Sequence, residues 1–169
     1  TQLIVRRVRE MGVYSEMVPW TTAEAKIKEV RPSAVILSGG PKSVLAEGAP
    51  TIDVDLLSGI PTLGICYGHQ LMAAGFGGKV ERGHTREYGK RNIKAGGQSQ
   101  LLGGLSSDQV WMSHGDTVLE APPGYEVTAQ TDSCAIAAME NVAENKFGVQ
   151  FHPEVSHTPD GKTILRRFL

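Results

Sequence analysis

Hydrophobic residues near the start of the chain recur at helical spacing. These apolar positions are Leu3, Ile4, Val8 and Met11. The spacing predicts a helix that ends at Gly12, a residue suited to a helix C-terminus. A short extended stretch is expected over 13–20, and Thr21 or Thr22 is expected to cap a helix that continues to Val30.

Two continuous apolar runs then alternate with helical segments. Residues 33–37 predict a buried strand that leads into the turn Ser-Gly-Gly-Pro, and 52–57 predict a short helix. A second buried strand is expected over 61–65, and a helix over 67–74. Strands and helices in this order indicate right-handed crossovers and a parallel sheet.

The pattern changes after Gly75. Short strands bounded by Gly, Pro, Asn and Asp are predicted over 79–81, 88–94, 109–112, 125–130, 135–140 and 146–151. Some of these strands must form antiparallel hairpins, and the last residues of the chain again read as a helix. The sequence therefore predicts one α/β domain with a mostly parallel, mixed central sheet flanked by helices.

Composition excludes several classes of protein. The chain has 169 residues, 40% of them hydrophobic, and a formal net charge of −1. These values favour a globular domain with a real core, and they give no electrostatic case for binding nucleic acid or an anionic membrane. Two cysteines cannot form a disulfide framework, so we expect a reducing, cytoplasmic setting. No Cys/His spacing matches a zinc site, and Cys134 is expected to be a small core residue.

Cys66 is the first candidate for chemistry. It stands between an apolar strand and a helix, with Gly64 two positions before it and Gly68 two positions after it. A sharp strand-to-helix turn needs small neighbours, and the helix N-terminus favours the reactive thiolate. The N–H of Tyr67 can point at a developing oxyanion. Taken alone, the cysteine could equally be a buried structural residue.

A thiol nucleophile needs a base and a group that orients the base. His152 follows an apolar strand, and Glu154 lies two residues later, beyond Pro153. A carboxylate in this position can bond one imidazole nitrogen and leave the other for Cys66. In isolation, however, the same residues would read as a histidine at a strand end and a solvated glutamate.

Together the two segments resemble the class I, or triad, glutamine amidotransferases, which carry a G-x-C-x-G-x-Q elbow and a late F-H-P-E stretch. The resemblance implies a flavodoxin-like fold, with Cys66 as nucleophile, His152 as acid and base, and Glu154 as its orienting carboxylate. It also places the second oxyanion donor on the N–H of Gly40, beside that of Tyr67.

The glycine turn has a rival interpretation. Residues 38–43, S-G-G-P-K-S, loosely resemble the S-G-G-x-D-S pyrophosphate loop of ATP pyrophosphatases. Lys42 stands where the acid should be, and Pro41 removes a donor N–H. ATP binding at this turn is therefore rejected.

A third segment, W-M-S-H-G-D at 111–116, stands where the family holds the α-amino and α-carboxylate groups of glutamine. Its S-H-G-D form and the upstream R-E-Y-G at 86–89 are similar to the GMP synthase branch of the family. The resemblance implies substrate contacts by Ser113, His114 and Gly115, mainly through backbone, and by Gln70.

The resemblance also predicts what lies outside these residues. The family begins with a strand that is missing here and usually continues into an ATP-pyrophosphatase domain, so 1–169 are expected to be a glutaminase domain truncated at both ends. No cofactor is expected within it. ATP and magnesium are expected only in a synthetase domain or subunit that binds xanthosine monophosphate and receives the ammonia.

Three alternatives remain open at this point. The chain could serve a different ammonia acceptor, or act as a γ-glutamyl hydrolase. It could instead be a regulatory homologue that keeps the fold without catalysis. A related possibility is that catalysis stays latent until the synthetase part docks.

Overall fold

A computed structural model describes residues 1–40, 42–96 and 98–169, so Pro41 of the predicted glycine turn lies outside the described residues. The helices are α1 Gln2–Glu10, α2 Trp20–Val30, α3 Tyr67–Gly75 and α4 Gly161–Phe168, with a 3₁₀ turn at Val54–Leu57. The strands are β1 Val35–Leu37, β2 Thr62–Ile65, β3 Lys79–Asn92, β4 Lys94–Ala95, β5 Gln109–Glu120, β6 Glu126–Gln130, β7 Ala138–Asn141 and β8 Lys146–Val149.

The predicted α/β class with a mixed central sheet is confirmed. Six strands form this sheet in the order β1-β2-β8-β7-β6-β4. The pairs β1–β2 and β2–β8 are parallel, whereas β8–β7, β7–β6 and β6–β4 are antiparallel. The carboxyl ends of β2 and β8 therefore meet at one edge of the sheet, where an α/β protein places its site.

A separate two-stranded sheet is formed by β3 and β5, which pair as a long antiparallel ribbon. The sequence predicts separate short strands over 79–81 and 88–94, but β3 runs unbroken from Lys79 to Asn92, and β5 extends to Glu120. The register shifts between Arg82 and Glu87, so an irregularity absorbs the polar stretch instead of ending the strand.

Smaller differences from the sequence predictions have local causes. Neither Thr21 nor Thr22 is the N-cap of α2, because the helix begins at Trp20 after an extended Pro19. Proline fixes a backbone angle that suits such an entry. The expected helix over 52–57 is a single 3₁₀ turn, in which the N–H of Asp55 donates to the side chain of Asp53.

The most deeply buried strands are β2 and β8. Every residue of β2 and β8 is buried, whereas the residues of β1 are only half-buried because β1 is the end strand of the sheet. The main core cluster includes Leu63, Val149 and Phe151. In the described part of the chain, no helix is long and apolar enough to cross a membrane.

Candidate active site

The turn between β2 and α3 holds Cys66 in an unusual backbone conformation. Its φ is 55° and its ψ is −106°, although it is not a glycine. Positive φ is costly for a residue with a Cβ and is found where surrounding structure enforces it, often at functional sites. The N–H of Cys66 donates to the carbonyl of Val149 at 2.9 Å, which ties the turn to the end of β8.

The glycines on either side of Cys66 are required by close approaches. A Cβ on Gly64 would lie 2.6 Å from the carbonyl oxygen of Gly68, and a Cβ on Gly68 would lie 2.0 Å from the carbonyl oxygen of Leu37. Real Cβ atoms essentially never come within 3.0 Å of another heavy atom. The G-x-C-x-G spacing thus records how tightly α3 packs on β1 and β2.

His152 and Glu154 stand just beyond β8, opposite this turn. The Nδ1 of His152 lies 2.9 Å from Oε1 of Glu154, as the sequence predicts for an orienting carboxylate. The His152 backbone is held on both sides, because its N–H donates to the carbonyl of Trp111 and its carbonyl accepts from the hydroxyl of Thr158. Glu154 itself is buried, and its carbonyl accepts from Arg7.

The surroundings of His152 favour its protonated form. Burial lowers the pKa of the imidazole, but hydrogen bonding with Cys66 and Glu154, together with their negative charge, outweighs it and raises the pKa to about 10. An imidazolium beside a thiol stabilises the thiolate. The side chain is therefore arranged to hold a proton in the resting state and to release it during a reaction.

Cys66, His152 and Glu154 border one cavity of about 310 Å³. Its other lining residues are Thr1, Ile4, Gly39, Gly40 and Ser113. A Cβ on Gly39 would lie 3.2 Å from Cε1 of His152 and 3.4 Å from Cβ of Cys66, so the glycine turn after β1 sits directly against the other two segments. The three segments that the sequence singles out therefore converge at one edge of the sheet.

Of the two residues predicted as oxyanion donors, Gly40 lies at the cavity and Tyr67 directly follows Cys66 in the chain. A Cβ added to Gly40 would meet no atom of the described residues within 4 Å. Tyr67 is the first residue of α3, where backbone N–H groups have no partner within a helix. Its hydroxyl donates to the carbonyl of Pro50, which fixes the position of the ring.

The residues predicted to contact glutamine divide into two groups. Ser113 lines the cavity, and its carbonyl lies 3.5 Å from the sulfur of Cys66. Gln70 and His114 instead lie buried behind the cavity wall, where their side chains bond other protein groups. Gly115 is covered by the side chain of Arg86, whose Cγ would lie 3.5 Å from an added Cβ.

A second histidine–carboxylate pair lies in the ribbon. The Nε2 of His114 is 2.8 Å from Oε1 of Glu87, and the other carboxylate oxygen accepts from Thr131 and Ser133. Burial raises the pKa of Glu87, but these hydrogen bonds and the imidazole outweigh it, so the pKa is lowered overall. This network fixes the strand that carries Ser113.

Two further residues near the site are missed by the sequence reasoning. Gln150 contacts the sulfur of Cys66, and Glu87 holds His114. For Gln150 a signal exists in the sequence, because side chains two apart in an extended segment share one face, and His152 is two residues later. His69, next to the elbow, is fully buried, and its Nε2 lies 3.1 Å from the carbonyl oxygen of Ile136.

Among the described residues, one group has the composition of a metal site. Ligand atoms of Glu87, His114 and Cys134 lie within 4.8 Å of one another, and all three residues are buried. The carboxylate of Glu87 already takes part in three hydrogen bonds, and burial raises the pKa of the Cys134 thiol to about 11. The cluster is therefore explained by hydrogen bonding between side chains.

Comparison with known proteins agrees with this geometry. The family model described as "Glutamine amidotransferase class-I" matches residues 1–169. The chain belongs to the class I glutamine amidotransferase family. It is 51% identical over 170 residues to a GMP synthase [glutamine-hydrolyzing] of Clostridium perfringens and 54% identical over 170 residues to that of Parafrankia sp.. Both alignments cover 99% of this chain.

The amidotransferase chain spans only about a third of these relatives, 33% and 32% of their lengths. A crystal structure from Thermoplasma acidophilum, of a protein described as one of the subunits of GMP synthase, matches with a TM-score of 0.82 and 30% identity. That match covers 98% of this chain and 84% of the other. A Thermotoga maritima glutamine amidotransferase, at 19% identity and a TM-score of 0.68, shares the fold. The predicted resemblance to the family and to its GMP synthase branch is confirmed.

Proposed function

We propose that this chain is a glutaminase that hydrolyses glutamine to glutamate and ammonia through Cys66, His152 and Glu154. The observation that carries the proposal is their meeting at one cavity. A strained cysteine at a helix N-terminus faces an imidazole whose other nitrogen is 2.9 Å from a buried carboxylate. This arrangement suits covalent catalysis by a thiolate.

The first half of the proposed reaction forms a thioester. The Cys66 thiolate attacks the side-chain carbonyl carbon of glutamine, and the carbonyl oxygen takes the negative charge. As the tetrahedral intermediate collapses, the C–N bond breaks and the His152 imidazolium gives its proton to the departing nitrogen. Ammonia leaves, and a γ-glutamyl thioester remains on Cys66.

The second half returns the enzyme to its starting state. Neutral His152 takes a proton from water as the oxygen attacks the thioester carbon. The C–S bond then breaks, glutamate is released, and the thiolate again faces an imidazolium. Glu154 keeps the imidazole in one orientation and stabilises its charged form throughout both halves.

Backbone donors are proposed to stabilise the oxyanion. In support, Gly40 lines the cavity, and Tyr67 is the first residue of α3, directly after the nucleophile. One such donor is worth about 2.7–4 kcal/mol of barrier. Ser113 and the neighbouring backbone at Gly115 are proposed to hold the amino-acid end of glutamine, with Gln70 and His114 supporting this wall from behind.

We further propose that the ammonia is passed to a synthetase domain or subunit that aminates xanthosine monophosphate to GMP. The support is the 51–54% identity to proteins named GMP synthase [glutamine-hydrolyzing], of which this chain matches about a third. ATP and magnesium would then act only in the synthetase part, and the pair would work in the cytoplasm. Direct transfer suits ammonia, which water otherwise protonates.

The first proposal is tested by measuring glutamine hydrolysis. The rate is measured for the chain alone and for the chain mixed with the synthetase part of a GMP synthase. Wild type should release glutamate in at least one of these settings, and Cys66→Ala should release none. Cys134→Ala is the matched control and should retain the wild-type rate, because Cys134 lies away from the cavity. Equal rates for wild type and Cys66→Ala would refute the proposal and favour a regulatory homologue.

The acceptor is tested separately, with glutamine as the only nitrogen source. Formation of GMP from xanthosine monophosphate and ATP by the mixture would support the proposed partner. Glutamate release that never yields GMP would contradict it, and would favour another acceptor or a γ-glutamyl hydrolase.

A further inference from the structure

A chain of buried and partly buried hydrogen bonds leads from the ribbon to the sulfur of Cys66. Its last member is Gln150, which is fully buried and whose Nε2 lies 3.7 Å from the sulfur. The Oε1 of Gln150 lies 3.2 Å from Nε2 of Gln70, and that nitrogen also lies 3.0 Å from the carbonyl oxygen of Asp116. The same carbonyl accepts from Nδ1 of His114 at 2.7 Å.

The orientation of the Gln150 amide follows from this chain. A backbone carbonyl can only accept, so the end of Gln70 that faces Asp116 must be its NH₂ group. That NH₂ group also faces Gln150, so the atom of Gln150 that it meets must be the acceptor oxygen. The NH₂ group of Gln150 is therefore turned towards the sulfur of Cys66, as a donor.

We propose that Gln150 is a third group that serves the nucleophile, by donating a hydrogen bond that stabilises the thiolate of Cys66 and fixes its direction. Resting on the proposed glutaminase function, this inference adds a role for a residue outside the Cys-His-Glu triad. A neutral donor has a specific advantage here. An amide N–H stabilises the charged sulfur, and it is too weakly acidic to protonate the thiolate.

The geometry also explains why the amide is held from behind. Sulfur is a weak acceptor when protonated and a much better one as a thiolate. An amide free to rotate would present its oxygen to the sulfur half of the time and would then oppose ionisation. Gln70 prevents this rotation, and its own orientation is fixed by the carbonyl of Asp116. The hydrogen-bond chain therefore keeps the NH₂ group of Gln150 directed at the sulfur.

The test is the pH dependence with which iodoacetamide alkylates Cys66, followed on its peptide by mass spectrometry without glutamine. Replacement of Gln150 by methionine keeps the volume and removes the donor. We expect the pH midpoint of alkylation to rise by about one unit, so that alkylation below the wild-type midpoint slows by up to about tenfold, since hydrogen bonds to charged groups are worth roughly that much. Thr128→Val, at another fully buried polar position, should leave the profile unchanged.

Steady-state kinetics add a second readout. Gln150→Met should lower kcat for glutamine by about 10- to 100-fold with little change in KM, because the donor acts on the sulfur and not on the bound amino acid. Gln150→Glu, which places an oxygen against the thiolate, should slow alkylation further. A wild-type alkylation profile in both variants would overturn the proposal.

A measurement on the unaltered protein covers the case in which both variants fail to fold. The side-chain ¹⁵N–¹H signals of Gln150 should shift with the midpoint of Cys66 ionisation, and this shift should vanish in Cys66→Ser. Signals that stay constant through the titration would overturn the inference. The alkylation and NMR measurements need no turnover. A chain without glutaminase activity would refute the proposed function, and these two measurements would still decide whether Gln150 donates to the sulfur.

Discussion

Substitution of Gly68 by alanine tests the packing that creates the elbow. The new Cβ would lie 2.0 Å from the carbonyl oxygen and 2.6 Å from the carbonyl carbon of Leu37. Since real Cβ atoms essentially never approach within 3.0 Å, α3 and β1 must separate by about 1 Å. Both neighbouring atoms belong to the backbone of β1, so a side-chain rotation cannot relieve the overlap.

Two opposing effects set the magnitude. Alanine gains about 1 kcal/mol over glycine inside a helix, and less at the second residue of α3. Overpacking of a closed site costs about 1–3 kcal/mol, occasionally more, and backbone neighbours place this site at the upper end. We expect a net loss of about 2 kcal/mol, which lowers the melting temperature of a domain of this size by about 4–8 °C.

The assay is a thermal melt of wild type and Gly68→Ala, followed by circular dichroism, with Gly96→Ala as the matched control. Within the part of the chain that the structure describes, a Cβ on Gly96 would meet no atom within 4 Å, so that variant should melt close to wild type. Gly68→Ala should also lose glutamine hydrolysis, because the shift displaces Cys66. A wild-type melting temperature together with full activity would refute the reasoning about the elbow.

Three further predictions concern charged groups. Glu154→Gln removes the charge that helps to raise the pKa of His152. Glutamine hydrolysis should therefore fall by about 10²–10⁴-fold, and alkylation of Cys66 should require a higher pH. An unchanged pH profile of alkylation would count against the triad. The pKa of Glu87 is lowered on folding, so the stabilisation from its carboxylate is present above about pH 4.3 and is lost as the pH falls through the folded pKa. The free energy of unfolding in urea should therefore be smaller for Glu87→Gln than for wild type at pH 7, and it should depend less on pH. Parallel pH curves for wild type and variant would contradict this. Lys146 donates to three backbone carbonyls, so Lys146→Met should lose about 1–3 kcal/mol of unfolding free energy, and an unchanged urea midpoint would contradict it.

The parallel half of the fold could be predicted because its signals are local. The apolar runs before Gly39 and Cys66 each form a buried or half-buried strand, and the glycines around Cys66 mark close backbone approaches that the structure makes explicit. Where two parallel strands end side by side, residues far apart in sequence meet, so Cys66 and His152 could be expected at one edge.

The ribbon and the interior network could not be predicted in the same way. Nothing local in the polar stretch around Glu87 shows that β3 continues through it, because pairing with β5 decides the matter. The burial of His69 and His114 likewise depends on tertiary contacts, since each histidine side chain bonds a carbonyl or carboxylate from a distant segment.

The relation between Gln70 and Gln150 shows the same limit. The resemblance predicts that Gln70 holds glutamine, and in the structure its NH₂ group bonds Asp116 and Gln150. A sequence gives the spacing of Gln70 from Cys66, but not which face of α3 meets the ribbon. Packing of β5 on α3 makes that choice.

The most direct measurement uses a chloroketone analogue of glutamine, whose electrophilic carbon replaces the carboxamide. The account predicts one label per chain, attached to Cys66, formed more slowly when glutamine is present and accompanied by loss of hydrolysis. Cys134, which is buried and has a raised pKa, should stay unlabelled. Inactivation with the label on any other residue, or continued hydrolysis with Cys66 fully labelled, would contradict the claim that this sulfur is the nucleophile.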